Sequence, residues 1–221
     1  MKLYKYLPRE YLNSLVVEGK FLFRTLSYFQ DFEDNAVRGD TFEGIQKYSK
    51  PEGIDIRNVS REEDLEGNWT FKASAKSEEI FIFSTSKILS KSLADEFKSD
   101  VCVEFHNFGQ VRGKLNTAIR MRKKVKPNKL LSLDVEYYKE SEAPGISWAF
   151  PEKISSRKLE YFSKQQEHRL MFSVNNALDF GNTTQELQLG NDQNNKQNKN
   201  HSEQILKVGN IKKWCTIHEF A

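Results

Sequence analysis

The stretch YFSKQQEHRLMF, residues 161–172, sets an amide, a carboxylate and a guanidinium at alternate positions, Gln165, Glu167 and Arg169. Alternate residues of an extended strand share a face. The spacing therefore predicts one polar face, with Gln166, His168 and Leu170 turned the other way. Charged residues are mostly exposed, so such a row is either a solvated strand edge or a site. Two other segments carry chemistry of a different kind. QDFEDNAVRGDTFEG holds Asp31, Glu33, Asp34, Asp40 and Glu43, hard oxygen ligands that suit magnesium and hence a metal-dependent nuclease. Against that reading, no second acid-rich strand pairs with them. RGKLNTAIRMRKKVKPNK, residues 112–129, holds eight Lys or Arg and no acid. Such a run is commonly a solvated helix face or loop, but it also suits a phosphate backbone through counterion release. Its basic members are Arg112, Lys114, Arg120, Arg122, Lys123, Lys124, Lys126 and Lys129.

These groups need elements to hold them. KLYKYL alternates as a short strand closed by Pro8. REYLNSLVVEG reads as a helix with Tyr11, Leu12, Leu15 and Val16 on one side and Gly19 ending it. KFLFRTLSYF is strand-like and carries Arg24. EEIFIFSTS is the clearest buried strand, its apolar run Ile80 to Phe83 stopping at Ser84, Thr85 and Ser86. SKSLADEF predicts a helical turn or two, and SDVCVEFHN and KLLSLDVEYY predict strands. A helix is expected around SSRKLEYFSKQ and another near SREEDLEGNW. The Asn/Gln/Lys tract at 190–200 cannot bury enough to order itself and predicts a mobile loop, with NIKKWCTIHEF as a final strand. The order is strand-rich with segregated helices, which predicts an α+β fold in one domain, 1–221.

Composition narrows the class. At 221 residues one sizeable core is affordable. Apolar residues are only 38%, yet 16 Phe, 8 Tyr and 3 Trp supply large units for burial. The net charge of +3 is too small to carry an argument, so the clustering of charge matters more. Cys102 and Cys215 fit no zinc spacing and no disulfide framework. No segment has the apolar length of a signal peptide or membrane span, so a soluble protein of a reducing cytoplasm is expected, with no membrane partner.

Arg24, the Ser84-Thr85-Ser86 triplet and Gln165-x-Glu167, in that order, resemble the arginine–serine–glutamate clade of the ADP-ribosyltransferase superfamily. LYKYLPREYLNSLVVEGKFLFRTLSYFQDFED and EHRL are also similar to a large family of uncharacterised bacterial domains that end on an acid-x-Glu-x-Arg strand. The resemblance covers residues 1–34, 80–105 and 160–172. It departs at Arg24, which lies on the second predicted strand where the toxins place it on the first. The resemblance implies NAD as substrate, no metal, and transfer of ADP-ribose to a macromolecule. Glu167 would stabilise the oxocarbenium-like centre and hold the ribose 2′-hydroxyl, and Ser84 would orient Glu167. Arg24 would fork onto the pyrophosphate, with Thr25, Tyr28, Thr85 and Ser86 as further contacts and Phe29 available to stack; Lys5 and Arg38 are the alternative clamps. Arg169 is expected to pair with a core carboxylate. In the superfamily a Gln at the position of Gln165 goes with asparagine or guanine acceptors. Together with the basic segment this makes RNA or DNA the expected acceptor class, ahead of protein. Intracellular toxins and phage-defence effectors of this kind imply an antitoxin or other inhibitory partner. A catalytically silent nucleic-acid-binding module is the third reading.

Overall fold

Ile80 to Phe83 present bulky apolar side chains to both sides of the chain, which suits only a strand covered on both faces. The computed structural model, which describes residues 1–31, 41–50, 52–54, 56–65, 67–126, 129–189 and 200–220, places this strand at the centre of the largest sheet. The strands are β1 (Leu3–Leu7), β2 (Lys20–Thr25), β3 (Ile45–Tyr48), β4 (Ile56–Asn58), β5 (Glu63–Leu65), β6 (Trp69–Ala75), β7 (Ile80–Ser86) and β8 (Val101–Phe105). They continue as β9 (Leu131–Asp134), β10 (Glu136–Tyr138), β11 (Arg157–Leu159), β12 (Glu167–Ser173), β13 (Thr183–Leu189), β14 (Glu203–Lys207) and β15 (Cys215–Glu219). The α-helices are α1 (Leu12–Val16), α2 (Leu26–Asp31), α3 (Lys91–Glu96), α4 (Phe108–Arg120) and α5 (Pro151–Ile154).

Helix and strand are thus mixed around a large antiparallel sheet. Its path runs β14-β2-β7-β1-β8-β15, and β12 followed by β9 continues from the other edge of β7. β7 pairs with β12 along its whole length, Ile80 opposite Ser173 to Ser86 opposite Glu167. Its other edge is shared. β2 takes Phe81 and Ile82, β1 takes Ser86, and the two strands part beside Phe83, Ser84 and Thr85. Buried backbone groups need partners, and Lys5 Nζ donates to the Ser84 carbonyl in this gap at 2.8 Å.

Register divides the side chains between two faces. The rear face carries Phe21, Phe23, Phe81, Phe83, Leu170 and Phe172, packed with Leu15 and Val16 of α1 and with Phe108, Val111, Leu115 and Ile119 of α4. Those four recur at helical spacing, so α4 buries one stripe and exposes the rest. The front face carries Ile80, Ile82 and Met171 under a second sheet, β13-β6-β3, with Trp148 and Ile154. Farther along the front, Tyr6 and Cys102 are covered by Leu93 and Ala94 of α3, whose start is capped by Ser90. Gly19 joins α1 to β2 at φ +63°, and a Cβ there would meet the Gly209 carbonyl oxygen at 2.0 Å. Only glycine fits both demands.

Four local expectations are replaced. The segment near SREEDLEGNW forms a β4–β5 hairpin, turning through Glu62 at φ 55°, and then enters β6. SSRKLEYFSKQ becomes β11 and a 3₁₀ turn over Glu160–Gln165, because β11 pairs in parallel with β10. KLLSLDVEYY breaks at Val135, since β9 pairs with β12 and β10 with β11. The end of KFLFRTLSYF coils into α2. Of the tract expected to be mobile, residues 190–199 lie outside the described residues.

Candidate functional site

Where the second sheet and α3 leave the front face uncovered, a cavity of about 170 Å³ opens over β7 and β12. Its walls include Tyr4 and Tyr6 from β1, Phe29 from α2 and Phe97 after α3. Its polar lining is Lys5, Glu43, Ser84, Thr85, Ser86, Lys158, Gln165 and Glu167. Ser84 and Glu167 are brought together by the β7–β12 ladder, and Ser84 Oγ donates to Glu167 Oε1 at 2.5 Å. The Glu167 backbone N–H donates to the Tyr137 hydroxyl at 2.8 Å. Gln166, at φ 41° and ψ 54°, turns the chain through a left-handed conformation just before β12. Gln165 and Glu167 therefore line one cavity without lying on one strand.

Behind Glu167 is a buried ionic cluster. Arg169, fully buried, donates from Nε to Glu167 Oε1 at 2.7 Å and from Nη2 to Glu43 Oε2 at 2.9 Å. Its Nη1 bonds the other oxygen of Glu43 and also the Ser155 carbonyl at 2.6 Å. Lys158 Nζ stands 3.1 Å from Glu167 Oε2 and 3.8 Å from Glu43 Oε2, donates to Gln165 Oε1 at 3.4 Å, and lies over the Phe162 ring. Burial alone would push the Glu167 carboxyl up. The charges of Arg169 and Lys158, with hydrogen bonds from Arg169 and Ser84, outweigh it and hold Glu167 well below the usual carboxylate range. Burial would likewise lower the Arg169 guanidinium, but Glu167 and Glu43 keep it firmly protonated. The arrangement is a fixed, ionised carboxylate at the floor of an aromatic-walled cavity. Such a group suits stabilisation of a developing cation.

Each expected residue can now be placed. Glu167, Gln165, Ser84, Thr85 and Ser86 all line the cavity. The Thr85 hydroxyl donates to the His168 carbonyl at 2.9 Å, and the Ser86 hydroxyl to the Gln165 carbonyl at 2.8 Å, so both also fasten β7 to the chain entering β12. Arg24, Thr25 and Tyr28 stand outside its lining. Arg24 sits opposite Glu203 on β14, 3.7 Å from that carboxylate, with its guanidinium 4.1 Å from the Tyr28 ring centre. Thr25 accepts the Ser27 hydroxyl at 2.9 Å. Phe29 does reach the cavity, and so does Lys5; Arg38 lies outside the described residues. Arg169 pairs with core carboxylates as expected. His168 points to the rear, between Asp134 at 2.6 Å and Ser132 at 2.9 Å.

Of the acidic run, Glu43 faces Arg169 and Lys158, and Asp31 lies 3.3 Å from His201. Glu33, Asp34 and Asp40 are outside the described residues. Among the described residues no three His, Cys, Asp or Glu are grouped to hold a metal ion, and no helix is long and apolar enough to cross a membrane. The basic segment runs along α4 and the turn after it, on the rear of the sheet. Arg112, Arg120, Lys123, Lys124 and Lys126 are exposed. Lys114 donates to the Val208 carbonyl at 3.0 Å, and Arg122 bonds Gln204 and the Ile205 carbonyl, so these two fasten α4 to β14. Sequence reasoning missed Lys158, Tyr137, Tyr4, Tyr6 and Phe97 as site residues. A lysine within RKLEYF carries no pattern that distinguishes it from a solvated one.

No protein-family model matches the chain, and no curated protein and no solved structure matches it.

Proposed function

We propose that the protein cleaves the nicotinamide–ribose bond of NAD and transfers ADP-ribose to a macromolecule. The observation that carries this reading is the Ser84–Glu167 hydrogen bond of 2.5 Å at the floor of the cavity. A carboxylate with both its position and its ionisation fixed meets the need of an oxocarbenium-like centre. At about 170 Å³ the cavity is smaller than the ~300–1,000 Å³ of sites that enclose drug-sized ligands. It suits the nicotinamide–ribose end, with Tyr4, Tyr6, Phe29 and Phe97 available to pack on the ring, while the adenylate lies outside.

In the step proposed, the bond between C1′ and the nicotinamide nitrogen breaks and its electron pair leaves with neutral nicotinamide. Glu167 faces the cation left on the ribose. A nucleophile of the acceptor then bonds to C1′ and gives up its proton. Gln165, at the cavity wall, is the group proposed to meet the acceptor. Nucleic acid is the proposed acceptor class, supported by the exposed Arg112, Arg120, Lys123, Lys124 and Lys126. That surface lies on the opposite face of the sheet, so its role is to dock a long polymer by its phosphates and not to touch the reacting atom.

The test is incubation with NAD labelled in its adenylate half, in the presence of RNA, DNA and protein, followed by separation of the fractions. Label on nucleic acid is the expected outcome. Label on protein alone moves the acceptor class, label only in free ADP-ribose makes the enzyme a hydrolase, and intact NAD sinks the reading.

A further inference from the structure

Among the described residues, the cluster below the cavity holds two acids, Glu43 and Glu167, and two bases, Lys158 and Arg169, so its charges sum to zero. The two bases differ in their freedom to move. Arg169 is forked across both carboxylates and also tied to the Ser155 carbonyl. Its departure would take the two-nitrogen fork from Glu43 and leave the Lys158 ammonium 3.8 Å away. Lys158 carries a point charge on a flexible stem, lies on the cavity wall, and has oxygen partners among the described residues at 3.1, 3.4 and 3.8 Å. If it moves, Glu43 and Glu167 both keep Arg169. Lys5, the other lysine of the lining, is bonded to the Ser84 carbonyl where β1 and β2 part.

A cation formed on a ribose beside Glu167 would sit next to the Lys158 ammonium, 3.1 Å from the same carboxylate. Two like charges sharing one carboxylate in a poorly solvated site repel strongly. We infer that Lys158 is the anion anchor of the cavity: as the dinucleotide binds, its ammonium passes from Glu167 to a phosphate oxygen next to the nicotinamide ribose. This rests on the NAD-cleaving reading above. Charge balance favours the exchange. One phosphate and one ribosyl cation enter a neutral cluster together, and the sum is again zero. The same movement frees an oxygen of Glu167 to face the cation. The site should accordingly prefer a nucleotide, with its phosphate, over the corresponding nucleoside.

Nicotinamide release can be compared for NAD and for nicotinamide riboside, which has the same glycosidic bond and no phosphate. Wild type, Lys158→Met and Lys158→Arg are each normalised to the folded fraction. Wild type should favour NAD in kcat/KM. Lys158→Met should lower the ratio of kcat/KM for NAD to that for the riboside about 10- to 100-fold, the range of a charge-assisted hydrogen bond. Lys158→Arg should keep a preference for NAD. Lys158→Gln, which retains a donor without the charge, gives the same comparison if the methionine variant does not fold. A variant without the charge that keeps the wild-type ratio of NAD to riboside overturns the anchor and leaves the NAD reading standing. Wild type that releases nicotinamide from neither substrate removes both.

Discussion

Glu167→Gln changes the charge of one buried side chain and hardly changes its shape. In the wild type that carboxylate receives Ser84, two nitrogens of Arg169 and the Lys158 ammonium. After the change, Glu43 is the one acid of the cluster among the described residues that faces its two cations, one at 2.9 Å and the other at 3.8 Å. Removing one member of a buried ion cluster strands a charge and costs about 3–5 kcal/mol. Against a typical total of ~5–15 kcal/mol the variant still folds, with a clearly lower denaturation midpoint. The proposed chemistry adds a separate loss. An absent preorganised charge at a developing cation should slow nicotinamide release ~10²–10³-fold, measured per folded molecule. Glu43→Gln is the control: it removes the same charge from the same cluster and should match Glu167→Gln in urea, yet lose less rate. If Glu167→Gln keeps nearly wild-type turnover, or the two variants lose rate equally, the cluster is holding the fold together and Glu167 has no chemical role.

Tyr137→Phe removes the acceptor of the Glu167 N–H. It should cost about 1–3 kcal/mol, as an orphaned buried donor does, and lower kcat more than it raises KM, since Glu167 loses its backbone anchor; an unchanged kcat contradicts this positioning role. Glu104, hydrogen-bonded by Lys2 and His218, is held below its ordinary value just as Glu167 is. A depressed folded value adds stability above the unfolded carboxyl range, near 4.3, and that stability is lost as pH falls through the folded value. Urea midpoints should therefore stay level from neutrality to about pH 5 and drop in stronger acid; a midpoint that rises with acidification contradicts both assignments. Reversing Arg112, Arg120, Lys123 and Lys124 to Glu should nearly abolish labelling of nucleic acid, leave nicotinamide release intact, and remove the steep salt dependence of labelling. Labelling that survives these reversals moves the docking surface elsewhere.

The sequence made the strands legible where burial is two-sided or period two is clean. β7 has no polar residue before Ser84, and β12 alternates Glu167 and Arg169 with His168 and Leu170 as expected. The exposure of that row was not legible, because a central strand and a solvated edge can carry the same letters. All of β12 is buried: β7 and β9 flank it, the second sheet covers Met171, and the cavity walls shelter Glu167. The polar face is thus paired inside, not solvated. The pairing of Ser84 with Glu167 was legible only through the resemblance to the arginine–serine–glutamate clade, since nothing local in the letters makes their strands neighbours. Arg24 could not be placed, because its partners are Glu203 on β14 and Tyr28 one helical turn on. Lys158 lies in a strand whose only strand partner among the described residues is β10, and long-range pairing of that kind leaves no local period.

Stability alone gives no reason for four buried charges. Replacing a buried ion cluster by apolar side chains of similar volume is often neutral or stabilising by ~1–4 kcal/mol, and apolar neighbours stand ready in Ile82, Leu133, Ile154 and Met171. Glu43→Leu, Lys158→Met, Glu167→Leu and Arg169→Met made together should therefore fold with a denaturation midpoint at or above the wild type. The single change Glu167→Gln should fold with a lower one. The quadruple variant should release no nicotinamide, because the cavity floor has lost its carboxylate. That pairing of gained stability with lost turnover would identify the cluster as a chemical device held at a cost to the fold. A quadruple variant that unfolds, while each apolar side chain fits its site by volume, would instead make the charges a requirement of the architecture. The case for Glu167 would then rest on its rate effect alone.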